Sequence, residues 1–101
     1  MDKNNVIRLI NERKILNSND PTIEKYWEEL TNILSTDCLE TVEYFDNCSE
    51  EEILYLSEIF EDVAYNLQDK KYIECLERLL NKYPNIPIAN SIITAKEYSG
   101  F

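Results

Sequence analysis

The sequence predicts an all-α fold, a compact bundle of about six helices arranged as antiparallel helical hairpins. Three observations carry this. Apolar residues recur at helical spacing in each segment of the chain. There is one glycine, Gly100, and only three prolines, Pro21, Pro84 and Pro87, too few for the tight turns of a sandwich or barrel. Segment boundaries carry residues that cap or stop helices. A chain of 101 residues reads as a single helical domain, 1–101, because at this size roughly 65% of the unfolded surface is buried, enough for one core.

Taken in order, residues 3–16 place Val6, Leu9, Ile10, Arg13 and Leu16 at helical spacing before "NSND" interrupts the pattern. Asp20 is placed to accept from the free amides of a second helix, with Pro21 at its first position. Ile23, Trp27, Leu30 and Leu34 form its apolar stripe, Trp27 reading as a core anchor. A short third helix, about 37–46, turns Cys38, Val42 and Phe45 inward and leaves Glu40, Glu43 and Tyr44 outside. Ser49 with Glu52 forms a capping box and opens a fourth helix running to Leu67. A fifth, about 70–82, presents Tyr72, Leu76, Leu79, Leu80 and Tyr83 and stops at Pro84. After the rigid "PNIP" link, Ile88, Ile92 and Ala95 predict a last helix to about Tyr98. Short connections between such helices fit a bundle or a small stack of helical hairpins, and no internal repeat is evident.

Composition excludes much chemistry. With no histidine, the chain lacks the usual general base and the commonest metal ligand. The single glycine, next to the end, rules out a glycine-rich phosphate loop and an EF-hand. Glu58 and Asp62, one helical turn apart, are the best candidates for a carboxylate pair, but nothing nearby promises the apolar pocket that tunes such a pair for catalysis. No cofactor and no metal site is expected. The cysteines Cys38, Cys48 and Cys75 are an odd number at irregular spacing and read as reduced, buried thiols. No stretch reaches the ~18 apolar residues of a membrane span, and the N-terminus lacks a secretory pattern, so a cytoplasmic location away from membranes is expected.

The charge is unevenly spread. The net charge is -10, and between Lys25 and Lys70 there is no Lys or Arg at all, while 13 of the 20 acids fall in that interval. Ordinary solvated helices mix signs, since opposite charges at i and i+4 stabilise by about 0.2–0.5 kcal/mol and like charges cost a similar amount. The helix dipole accounts for Glu50, Glu51 and Glu52 but is spent by Glu58, Glu61 and Asp62. On a wheel of about 100° per residue, Ile53, Leu56, Phe60, Val63, Ala64 and Leu67 face the core, and Tyr55, Glu58, Asp62 and Tyr65 fall opposite. Tyrosines alternating with carboxylates suit a basic protein partner, because Tyr is enriched at binding hot spots and carboxylates steer cations. The candidate partner-binding residues are therefore Glu40, Glu43, Tyr44, Tyr55, Glu58, Asp62 and Tyr65. Nucleic acid has the wrong sign to be a direct ligand.

The succession "YWEELTNILSTDCLETVEYF", "NCSEEEILYLSEIFEDVAYNL" and "KKYIECLERLLNKYP" resembles small acidic helical immunity proteins that protect bacteria from their own polymorphic toxins, including those of contact-dependent growth inhibition. The resemblance covers about residues 26–84. The "SEEE" helix opening is more distantly similar to the colicin nuclease immunity proteins, whose Tyr-Tyr-Pro element is not reproduced beyond Tyr83-Pro84. What the resemblance implies is a stoichiometric antitoxin whose acidic surface covers the basic cleft of a cognate toxin, a nuclease in the leading case. The competing readings are a helical adaptor or regulator with a basic non-toxin partner, and a carboxylate enzyme.

Overall fold

The computed structural model describes residues 1–100. Every regular element in it is helical, and no strand occurs among the described residues. Helix α1 (Lys3–Lys14) opens on Asp2, whose carboxylate accepts from the Asn5 amide at 3.1 Å. Helix α2 (Ile23–Leu34) starts two residues later than the proline suggests. Asp20 accepts from the Thr22 amide at 2.8 Å and its carbonyl from the Ile23 amide, so residues 20–22 form a turn with Pro21 inside it. Helix α3 (Cys38–Asp46) and helix α6 (Lys70–Lys82) are capped by Asp37 and Asp69. Helix α4 (Glu50–Leu56) carries the full capping box, with the Ser49 hydroxyl accepting from the Glu52 amide and the Glu52 carboxylate from the Ser49 amide. Helices α5 (Phe60–Leu67) and α7 (Ala89–Ser99) complete the fold.

The expected fourth helix is thus split. Ser57–Ile59 form a 3-10 turn between α4 and α5. The Ser57 hydroxyl donates to the Leu54 carbonyl at 2.6 Å, the kind of local bond with which serine competes against a regular helix. If α4, the turn and α5 are counted as one broken rod, the helices number six.

Hydrogen bonds between helices reveal the topology. Val42 and Asp46 of α3 meet Cys75 and Arg78 of α6, so these helices run parallel. Trp27 of α2 bonds Glu58 in the turn before α5, and Ser35 just after α2 bonds Asn66 near the end of α5, which makes that pair parallel too. The end of α5 meets the end of α7 through Gln68 and the Tyr98 carbonyl. The chain therefore forms three hairpins, α1–α2, α3 to α5, and α6–α7, stacked in the same sense. Its second helices lie side by side along one face.

One contiguous apolar cluster runs through the stack. At its centre the ring of Phe45 lies 5.9 Å from Phe60 and 5.8 Å from Tyr72, at the tilted angles that aromatic quadrupoles favour. Leu56, Phe60 and Leu76 are fully buried as expected, and Ile88, Ile92 and Ala95 bury one face of α7. Helix α3 is turned from its predicted phase. Thr41, Tyr44 and Phe45 point inward while Cys38 and Val42 are half-buried. Two bonds fix this rotation: the Thr41 hydroxyl donates to the Leu34 carbonyl at 2.6 Å, and the Tyr44 hydroxyl to Glu52 at 3.3 Å. Trp27 is likewise half-buried, its ring against the cluster and its indole N–H turned to a carboxylate.

Candidate functional site

The sequence-predicted residues fall into three neighbourhoods. Glu40 and Glu43 stand exposed on α3, Glu40 accepting from the Met1 amine at 3.2 Å. Tyr44 does not join them on the outside. It is buried, and burial together with the Glu52 carboxylate raises its hydroxyl pKa far above the ordinary range, so it serves as a neutral donor. A cavity of about 440 Å³ separates this set from α1, with Lys3, Glu43 and Glu52 on its walls.

Glu58 is the principal correction. The wheel puts it on the outer, partner-facing side, yet its carboxylate accepts both Nε–H and Nη2–H of Arg13, at 2.8 and 2.7 Å, and the Trp27 indole N–H at 3.1 Å. The Arg13 side chain is only 7% exposed and that of Glu58 26%. Its hydrogen bonds to Glu58 hold the Arg13 guanidinium above its ordinary pKa against the opposing cost of burial. Tyr55 belongs to the same assembly, since the guanidinium sits 5.3 Å from its ring centre. A 3-10 turn advances about 20° more per residue than an α-helix, so three residues of it rotate α5 by about 60° relative to α4. On a wheel that rotation still leaves Tyr55, Glu58, Asp62 and Tyr65 within one arc; it is Arg13 that draws Tyr55 and Glu58 toward α1, while Asp62 and Tyr65 line a groove with α2.

Other acids of the base-free interval are neutralised from outside it. Lys14 pairs with Glu51, and Arg78 with Asp46. Asp37, Asp69 and Glu52 are occupied at helix starts. Asp62 and Tyr65 remain exposed, and α2 adds a second set of acids beside them.

Between α2 and α5 lies an open groove of about 430 Å³. Glu24, Trp27, Glu28, Thr31 and Asn32 line it from α2, and Asp62, Tyr65 and Asn66 from α5. Three carboxylates and two aromatic rings meet there with no Lys or Arg among the lining residues. Thr31, although a lining residue, is buried, and its Oγ1 is an inaccessible side-chain polar atom with no hydrogen-bond partner. The sequence reading missed Glu24, Glu28 and Thr31. The signal was the like-charge pair Glu24 and Glu28 at i and i+4, which an ordinary helix avoids.

The cysteines offer no reactive thiolate. They are free, and burial first, then neighbouring carboxylates, pushes the Cys38 thiol up to about 11 and those of Cys48 and Cys75 to about 12. Among the described residues no group of three or more His, Cys, Asp or Glu could hold a metal ion, and no helix is long and apolar enough to cross a membrane. Comparison of the chain with known protein families, with curated proteins and with solved structures gives no match.

Proposed function

We propose that this protein is an immunity protein, a stoichiometric antitoxin that neutralises a cognate bacterial toxin domain, a nuclease in the leading case, by presenting acidic helices to its basic surface. The observation that carries the reading is the groove between α2 and α5, where Glu24, Glu28 and Asp62 stand without a basic neighbour among the lining residues. Like charges held together in the free protein cost stability, a cost that a cationic partner relieves on binding. Nucleases gather Lys and Arg to hold phosphate, so a carboxylate surface competes in the same field and is steered to it at up to ~10⁸–10⁹ M⁻¹s⁻¹ at low salt. The role is binding, not catalysis, with no cofactor and in the cytoplasm where a toxin would otherwise act.

The second reading, a helical adaptor or regulator for a basic non-toxin partner, draws on the stacked hairpins, an architecture that offers long binding faces. The proposal expects a toxin-like reading frame next to the gene, and co-expression with its toxin domain separates the two. An immunity protein restores growth and copurifies with that domain in equal amounts. If growth stays arrested although both proteins are present and folded, the antitoxin reading is wrong.

A further inference from the structure

We infer that the groove between α2 and α5 is a receptor for an arginine side chain of the protein partner, and that it discriminates arginine from lysine. The inference rests on the reading of the protein as a binder of basic proteins and names the group that is bound. The groove supplies two things a guanidinium uses. Carboxylates on both walls, Glu24 and Glu28 from α2 and Asp62 from α5, can take its paired N–H donors. The Trp27 and Tyr65 rings offer flat faces on which a planar cation stacks.

Neighbouring features argue against lysine and against a merely solvated surface. An ammonium is a compact, strongly hydrated charge that gains little from ring faces, whereas a guanidinium sheds water readily. The groove between α3 and α6 is formed by the same parallel stacking but is lined by Leu39, Val42, Lys71, Glu74 and Arg78, with bases of its own. It is an internal comparison in which a cationic side chain finds no unopposed acids. Asn32 and Asn66 close the acidic groove with neutral acceptors.

Trp27 is the single tryptophan of the chain, so its fluorescence reports the groove directly. The full-length protein is titrated with hexa-arginine amide and hexa-lysine amide at low and moderate salt. A saturable fluorescence change is expected with both peptides, at least about fivefold tighter for arginine, and Glu28→Gln with Asp62→Asn should weaken the arginine peptide about tenfold while the melting temperature does not fall. Tyr65→Ala, which removes an exposed ring face, should narrow the preference for arginine. Equal affinity for the two peptides, no saturable change, or undiminished binding by the double variant each overturns the assignment. The same double variant in the toxin co-expression assay keeps the two proposals apart. Full protection by it discards the groove and leaves the antitoxin reading, whereas failure of the wild-type protein to protect, with arginine binding retained, does the reverse.

Discussion

Glu58 and Asp62 stand one helical turn apart on what the sequence presents as a single helix, and they do opposite things. Glu58 is drawn inward, holding Arg13 through two hydrogen bonds and Trp27 through a third. Asp62 stays in water at the rim of a groove with no cation among its lining residues. The difference teaches that a carboxylate's role here depends on which neighbouring helix it faces. The half of the rod that leans on α1 meets a base; the half that leans on α2 meets more acids.

The strongest way to break the comparison is to remove its pivot. Phe60 is fully buried where the 3-10 turn passes into α5, and Phe60→Ala should cost about 3–5 kcal/mol in denaturant unfolding. A loss under ~1 kcal/mol would mean that the two halves are not held in register by the core. Next comes Glu58→Gln, which leaves a buried guanidinium without its counter-charge. We expect a loss of about 2–3 kcal/mol, below the range for a fully buried pair because a quarter of the Glu58 side chain keeps water. A double-mutant cycle with Arg13→Met measures the pairwise part; additive losses would show that the pair is incidental. Smallest is Asp62→Asn, expected to change stability by no more than about 0.5 kcal/mol, and upward if at all, since it removes one of several like charges. A clear destabilisation by Asp62→Asn would dissolve the contrast between the two carboxylates.

Much of the fold was legible because its signals are local. Ser49 and Glu52 marked the start of α4 by their own chemistry, Asp37 and Asp69 cap helices near the expected positions, and the stripe of Leu56, Phe60, Val63 and Ala64 is buried. What escaped was set by contacts distant in sequence. Arg13 reads as one polar residue in an apolar stripe, and only the fold brings it to Glu58, 45 residues away. The wheel assumes a constant rotation per residue, and no Pro or Gly announces the turn at Ser57–Ile59; the serine was the one local hint. Tyr44 was misplaced for a related reason, since its partner Glu52 lies across a helix boundary. Of the candidate binding surface, Asp62 and Tyr65 were read correctly as exposed, but the wall contributed by α2 became visible only when the parallel stacking of α2 and α5 was known.

Gln68 closes α5 in the left-handed region, with φ of 47°. Its side-chain amide donates to the Tyr65 carbonyl at 3.0 Å and to the Tyr98 carbonyl at 2.9 Å, so one NH₂ group ties the negative ends of two helices together. Hydrolysis of that amide, the ordinary ageing reaction of glutamine, would replace the donor with a carboxylate aimed at two helix carboxyl ends. In a chain that accommodates acids almost everywhere on its surface, position 68 is one where a carboxylate is disfavoured, and slow deamidation there would loosen the end of the last hairpin from the end of the hairpin before it.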